Sequence, residues 1–226
     1  MSTPLSSLQS VSVRQQKSPA ALLLWNLRLL AGPLWLAALL IVLMLAAFSN
    51  PSFMGTVDAA YWGERFVALL SLLLFPPLAL MESGGIGEGL LAKRQRLEIV
   101  LLCRWLLSGC YMAVIVAVFY GVTRLLGASY DEMLMLGALI NSLALGSVAL
   151  LAAILFCSLS GGYILVFAWY LLDWTTKGKW TGKVYLFSMS DGAWNGDKLW
   201  LLVVALLCAT CSAWLLPRLI KGKAFS

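Results

Sequence analysis

Long apolar runs separated by short polar segments set the layout of the chain, and none of the runs alternates in the manner of a half-buried strand. A bilayer core about 30 Å thick takes roughly 20 apolar residues as a helix, and only helices or closed barrels satisfy their backbone groups there. The runs therefore predict membrane helices. The first covers residues 20–48, which is too long for one simple crossing. Arg28 interrupts it and Gly32-Pro33 breaks it, so an interfacial helix over 18–31, with Trp25 and Arg28, is expected before a span over 33–48. A single tilted span with Arg28 snorkelling to the interface is the alternative.

Further spans are expected over 61–81, 99–122, 133–158 and 199–216, with a shorter apolar run at 163–174. Pro76-Pro77 should kink or end the regular hydrogen bonding of the second span. Ser160-Gly161-Gly162 reads as a tight turn, and Pro217 closes the last span. Two polar interruptions stand out: 82–98, rich in glycine and then in basic residues, and 175–197, which carries Trp180, Tyr185, Leu186, Phe187 and Trp194. The aromatics of the second suit a membrane interface. Residues 1–19 are polar, and the run that follows is too long for a signal-peptide core, so no cleavable signal is expected.

Composition narrows the class. Of 226 residues, 62% are hydrophobic and 12% charged, about half the charged share of a soluble domain, and mean hydropathy is +0.90. Such a chain has no polar skin for a soluble fold, which points to one membrane domain over 1–226. The formal charge of +6 comes from basic residues placed between apolar runs, so topology explains it and nucleic acid is not an expected partner. With six crossings and both termini inside, the inner set is Arg14, Lys17, Arg28, Lys93, Arg94, Arg96, Arg104, Arg218, Lys221 and Lys223. The outer set is Arg65, Arg124, Lys177, Lys179, Lys183 and Lys198. This bias favours cytoplasmic termini.

The candidate chemistry is sparse. No histidine is present, which removes the commonest general base and metal ligand. Cys208-Ala-Thr-Cys211 matches CxxC, but an apolar span is the wrong setting for thiol redox chemistry, and no metal site is expected. Glu64-Arg65 and Asp131-Glu132 are expected at outer helix ends, where charge is tolerated, and no acid is expected at mid-depth. The cluster Gly84, Gly85, Gly87, Gly89 is not a phosphate loop: no GxxxxGK[ST] occurs, and Leu90 stands where GxGxxG needs its last glycine. It reads as a hinge with a short cytoplasmic helix, or as a basic loop that meets lipid headgroups. In the fourth run, Ala138, Ser142 and Gly146 recur at four-residue spacing with Asn141 beside them. Close helix approach follows from such spacing; it serves packing within one protomer, a dimer seam, or a polar point on a pathway.

From Glu82 to Arg104 the chain reads ESGGIGEGLLAKRQRLEIVLLCR. This resembles the segment between the second and third spans of type-2 ABC transporter permeases. Glu82, Gly84 or Gly85, Glu88, Leu90, Leu91 and Arg104 match the acidic, glycine, Glu-x-Leu-Leu and basic positions of that family; Ala92-Lys93-Arg94-Gln95 replaces its usual turn after Leu-Leu. The resemblance implies an all-α membrane fold with six transmembrane helices, an N-terminal elbow helix over 18–31, a coupling segment over 82–98 and an outer re-entrant segment over 175–197. It implies a permease subunit, an exporter in a bacterial inner membrane, paired with an identical or related permease and with two ABC ATPase subunits. ATP and Mg would be bound by those partners, with no cofactor and no catalysis on this chain. Glu82, Gly85, Glu88, Lys93, Arg94 and Arg96 are then the coupling residues. A multi-span scaffold or assembly factor outside the ABC class is the alternative.

Overall fold

The computed structural model describes residues 19–80 and 97–224. Helix α1 (Pro19–Leu30) is separate from α2 (Pro33–Phe48). The break falls at Gly32, and Pro33 opens α2, where its missing N–H costs nothing. The chain continues through α3 (Thr56–Leu80), α4 (Leu97–Leu125), α5 (Met133–Leu155), α6 (Leu159–Thr176) and α7 (Lys198–Ala224). No strand occurs among the described residues.

Among the described residues, four helices are long and apolar enough to cross a membrane: α3, α4, α5 and the part of α7 over Lys198–Leu219. At 1.5 Å per residue they are about 33 to 44 Å long. Six crossings were expected, and four described helices have the length and apolarity for one. Helix α2, with 16 residues, and α6, with 18, are about 24 and 27 Å long, shorter than the hydrocarbon thickness.

Helix α5 is the hub. It packs against α3, α4, α6 and α7, and 72% of its apolar stretch is buried, against 33% for α7. Small residues make this possible: a Cβ on Gly146 would run into the Phe75 ring, and one on Gly137 into the Met189 side chain. On α6, a Cβ at Gly162 would lie 2.7 Å from the Ala149 carbonyl oxygen and 3.0 Å from the Ala153 Cβ.

This last contact corrects a sequence expectation. Ser160-Gly161-Gly162 is not a turn but the first turns of α6; the reversal falls earlier, at 156–158, where Cys157 takes φ 49°. Glycine at 162 serves close helix approach rather than backbone freedom. Three further boundaries move. The second span begins at Thr56, not 61; α4 begins at Leu97 within the segment assigned to coupling; and Pro217 lies inside α7, which continues to Ala224. The Pro76-Pro77 break is present: α3 loosens at 75–76, with the Leu78 N–H donating to the Phe75 carbonyl at 3.1 Å.

Helix α3 departs from α geometry in two successive turns. Residues Trp62–Val67 form a π-helical turn, closed by the Ala68 N–H on the Gly63 carbonyl, and a tight 3-10 turn over Ala68–Leu70 follows. Between α6 and α7, residues 177–197 fold back over the bundle end as a cap, and Leu186, Phe187 and Met189 are buried. Gly192 takes φ 74° and sits so close to Thr56 and Val57 that a Cβ there would meet both.

Glycine contacts predict a contrast. Gly162→Leu pushes α5 and α6 apart against backbone that cannot yield and should cost about 1–3 kcal/mol. Gly121→Ala, with nothing within 4 Å of the added methyl, should be neutral or stabilising by up to about 1 kcal/mol. Unfolding midpoints of the detergent-solubilised variants check both.

Candidate functional site

A helix turn that closes i to i+5 leaves backbone carbonyls without their usual i+4 partners. The π-turn of α3 does this under the cap. The Glu64 carbonyl accepts a hydrogen bond from Asn141 Nδ2 at 3.3 Å, and the Arg65 carbonyl accepts one from the Tyr170 hydroxyl at 3.2 Å. The turn thereby points the Glu64 side chain inward, where it is only 2% exposed. Gly63 permits this path because Tyr120 occupies the space a Cβ would need, its hydroxyl donating to the Ala59 carbonyl at 3.1 Å.

The partner of Glu64 is Lys198, the first residue of α7 and fully buried, with Nζ 2.5 Å from Glu64 Oε1. Lys198 also donates to Asn141 Oδ1 at 3.1 Å and to the Leu186 carbonyl. An ammonium has three protons, and all three are used. Asn141 is fully buried and acts with both ends of its amide, accepting from Lys198 and donating to α3.

These charges hold the cap by its backbone. The Met189 N–H donates to Glu64 Oε1 at 3.2 Å, and the Leu186 N–H donates to Asp173 Oδ2 at 2.8 Å. Leu186 is thus gripped on both sides, its N–H by α6 and its carbonyl by α7. The Met189 side chain enters the notch that Gly137 leaves in α5. One cluster of Glu64, Asn141, Asp173 and Lys198 therefore joins α3, α5, α6, α7 and the cap.

The placement of Glu64 differs from the sequence expectation. A start at 61 would put it at a helix end in contact with water. With α3 starting at Thr56 it lies in the third helical turn and is enclosed. Lys198, assigned to the outer basic set, is likewise enclosed. Sequence reasoning missed both because each stands at the edge of an apolar run. The available signal was Asn141: a mid-run amide in an apolar helix requires polar partners.

Of the residues singled out in the sequence, Ala138, Asn141, Ser142 and Gly146 lie together on α5 and are buried by the chain itself. Ala138 faces Gly63, Gly146 faces Phe75, and the Ser142 hydroxyl donates to the Ala138 carbonyl at 2.7 Å. Glu82, Gly85, Glu88, Lys93, Arg94 and Arg96 lie outside the described residues. Arg104 is on α4 and fully buried, with Nε donating to Asn26 Oδ1 of α1 at 2.8 Å. All five cysteines are free, Cys211 exposed and Cys208 partly buried.

Breaking a buried ion pair from one side leaves a lone charge and costs about 3–5 kcal/mol, whereas removing both charges together is far milder. Lys198→Met should therefore lower stability by about that amount, and the double variant Glu64→Gln/Lys198→Met should come within about 2 kcal/mol of the parent. Denaturant unfolding in detergent measures the cycle; additive losses would show that the two charges do not act as a pair.

The chain matches no family model, no curated protein and no solved structure.

Proposed function

We propose that the chain is the membrane permease subunit of an ATP-driven ABC transporter, an exporter, which lines the translocation pathway and couples to separate ATPase subunits. The reading rests on the resemblance over Glu82–Arg104, and the tie between Asn26 and Arg104 is the structural observation that supports it most. Arg104 lies seven residues into α4, just beyond the expected coupling segment, and its guanidinium holds α1. A push delivered at 82–96 would reach α3, α4 and α1 together. In this reading α1 is the elbow, α2 and α6 complete six crossings, and the cap is the outer segment before the last span. The termini are cytoplasmic, the membrane is a bacterial inner membrane, and a second permease subunit, identical or related, completes the pathway.

One observation favours the alternative, a multi-span scaffold outside the ABC class. The polar groups of α5 are spent on contacts inside the chain, so α5 offers none of them to a pathway within a single copy. In the transporter reading the pathway then runs between two copies.

Purified chain alone should hydrolyse no ATP, and co-expression with a P-loop ATPase encoded beside it should yield a complex that does. Reversing Lys93, Arg94 and Arg96 to Glu should lower complex formation about 10- to 100-fold, the effect of roughly 1.4–2.8 kcal/mol. A stable ATPase complex indifferent to those reversals would sink the coupling assignment. Failure of any P-loop partner to bind would favour the scaffold.

A further inference from the structure

The residue after Glu64 on the π-turn points the other way. Arg65 is only partly buried, and its guanidinium carbon lies 4.3 Å from the centre of the Tyr61 ring, 4.5 Å from that of Trp174 and 5.1 Å from that of Phe187. Rings stacked on a guanidinium cover its faces and fix its orientation, but hydrogen bonds leave through its edge. Among the described residues no carboxylate lies within ion-pair distance of Arg65, since the neighbouring acid Glu64 is paired with Lys198. The arginine is therefore held in place with its donors unspent.

What those donors face follows from depth. Trp174 stands two residues before the end of α6, and the Tyr170 hydroxyl, one turn earlier, binds the Arg65 carbonyl, so Arg65 is level with the α6 end. Tyr61 and Trp174 are each 37% exposed at that level. Tyrosine and tryptophan at the ends of membrane helices mark the headgroup layer. A planar, edge-presenting guanidinium matches a phosphate or carboxylate by paired hydrogen bonds, and the acceptor abundant at that depth is the phosphate of a lipid.

We propose that Arg65, oriented by Tyr61, Trp174 and Phe187, forms a binding site for the phosphate of an anionic phospholipid headgroup. The site lies on the flank of the cap and is separate from the buried cluster. It links lipid occupancy to the cap, because Phe187 belongs to both: its ring packs beside Arg65, and the chain on either side of it is held by Asp173, Lys198 and Glu64.

The test uses the full chain in phosphatidylcholine nanodiscs doped with phosphatidylglycerol, with retained phosphatidylglycerol counted by native mass spectrometry after extraction. Arg65→Gln should lower retention about tenfold, the loss expected when hydrogen bonds to a charged group are removed. Lys183→Gln removes the same charge beside Trp200 and should leave retention unchanged. Excess soluble glycerol phosphate should not displace the lipid. Equal retention by Arg65→Gln and the parent overturns the proposal, as does an equal loss in Lys183→Gln, which would mean diffuse charge attraction. Displacement by glycerol phosphate overturns the lipid assignment in favour of a free anion. If Arg65→Gln does not fold, Arg65→Lys carries the test: it keeps the charge and loses the planar edge, so a clear drop is expected and full retention refutes the site.

Discussion

A glutamate carboxylate and a lysine ammonium enclosed without solvent have to meet, and the whole cap end of the protein is arranged around that requirement. Removing either ion from water costs several kcal/mol, and attraction at close range offsets this only when the remaining donors and acceptors are also met. Here they are met by Asn141, by the Leu186 carbonyl and by the Met189 N–H. Asn141 sits on α5, and the other two partners sit in the cap. The pair thus converts an electrostatic demand into a set of positions for α3, α5, α7 and the chain between α6 and α7.

The rest of the bundle is held by different means. Along α5 the contacts are steric, with Gly137, Gly146 and the alanines letting Met189, Phe75 and α6 approach closely. In a bilayer the hydrophobic effect does not drive helices together, because lipid tails are as apolar as leucine, so close packing and internal hydrogen bonds carry the association. Both occur at the opposite end of α4 too, where Trp105 Nε1 donates to the Ser147 hydroxyl at 2.9 Å and Arg104 reaches α1. Polar ties and small residues lie side by side along the bundle: Gly137 beside Lys198, and Gly146 next to Ser147.

Much of this was legible in the sequence, and the parts that were not have physical causes. Apolar runs of 20 residues or more without strand-like alternation declare membrane helices, because only helices and closed barrels satisfy the backbone there, and α4 and α5 follow the expected runs to within three residues. The break before Pro33 and the loosening at Pro76-Pro77 follow from proline's missing N–H. Gly161-Gly162 was misleading because glycine has two uses, freedom of the backbone and absence of a side chain, and the sequence does not say which is in force. Glu64 and Lys198 were hidden because burial of a charge depends on a partner 134 residues away. Asn141 and Ser142 were visible as polar points in an apolar helix, but their partners were not.

The π-turn of α3 carries one more residue than an α-helix would use for the same rise. That surplus residue sets a phase. Each residue of a helix advances about 100° around its axis, so the segment before the turn and the segment after it present faces that no uninterrupted α-helix could present together. Gly63 is keyed to Tyr120 and to Ala138 near the start of α5, and Thr56 to the cap, while Phe75 is keyed to Gly146 further along α5. A chain lacking one residue between Trp62 and Val67 would keep its composition and hydropathy almost unchanged, yet one of these two faces would turn toward lipid. The helix is in this sense a coupling of two half-helices with a fixed offset, and its length in residues is as much a part of its chemistry as the identity of any side chain on it.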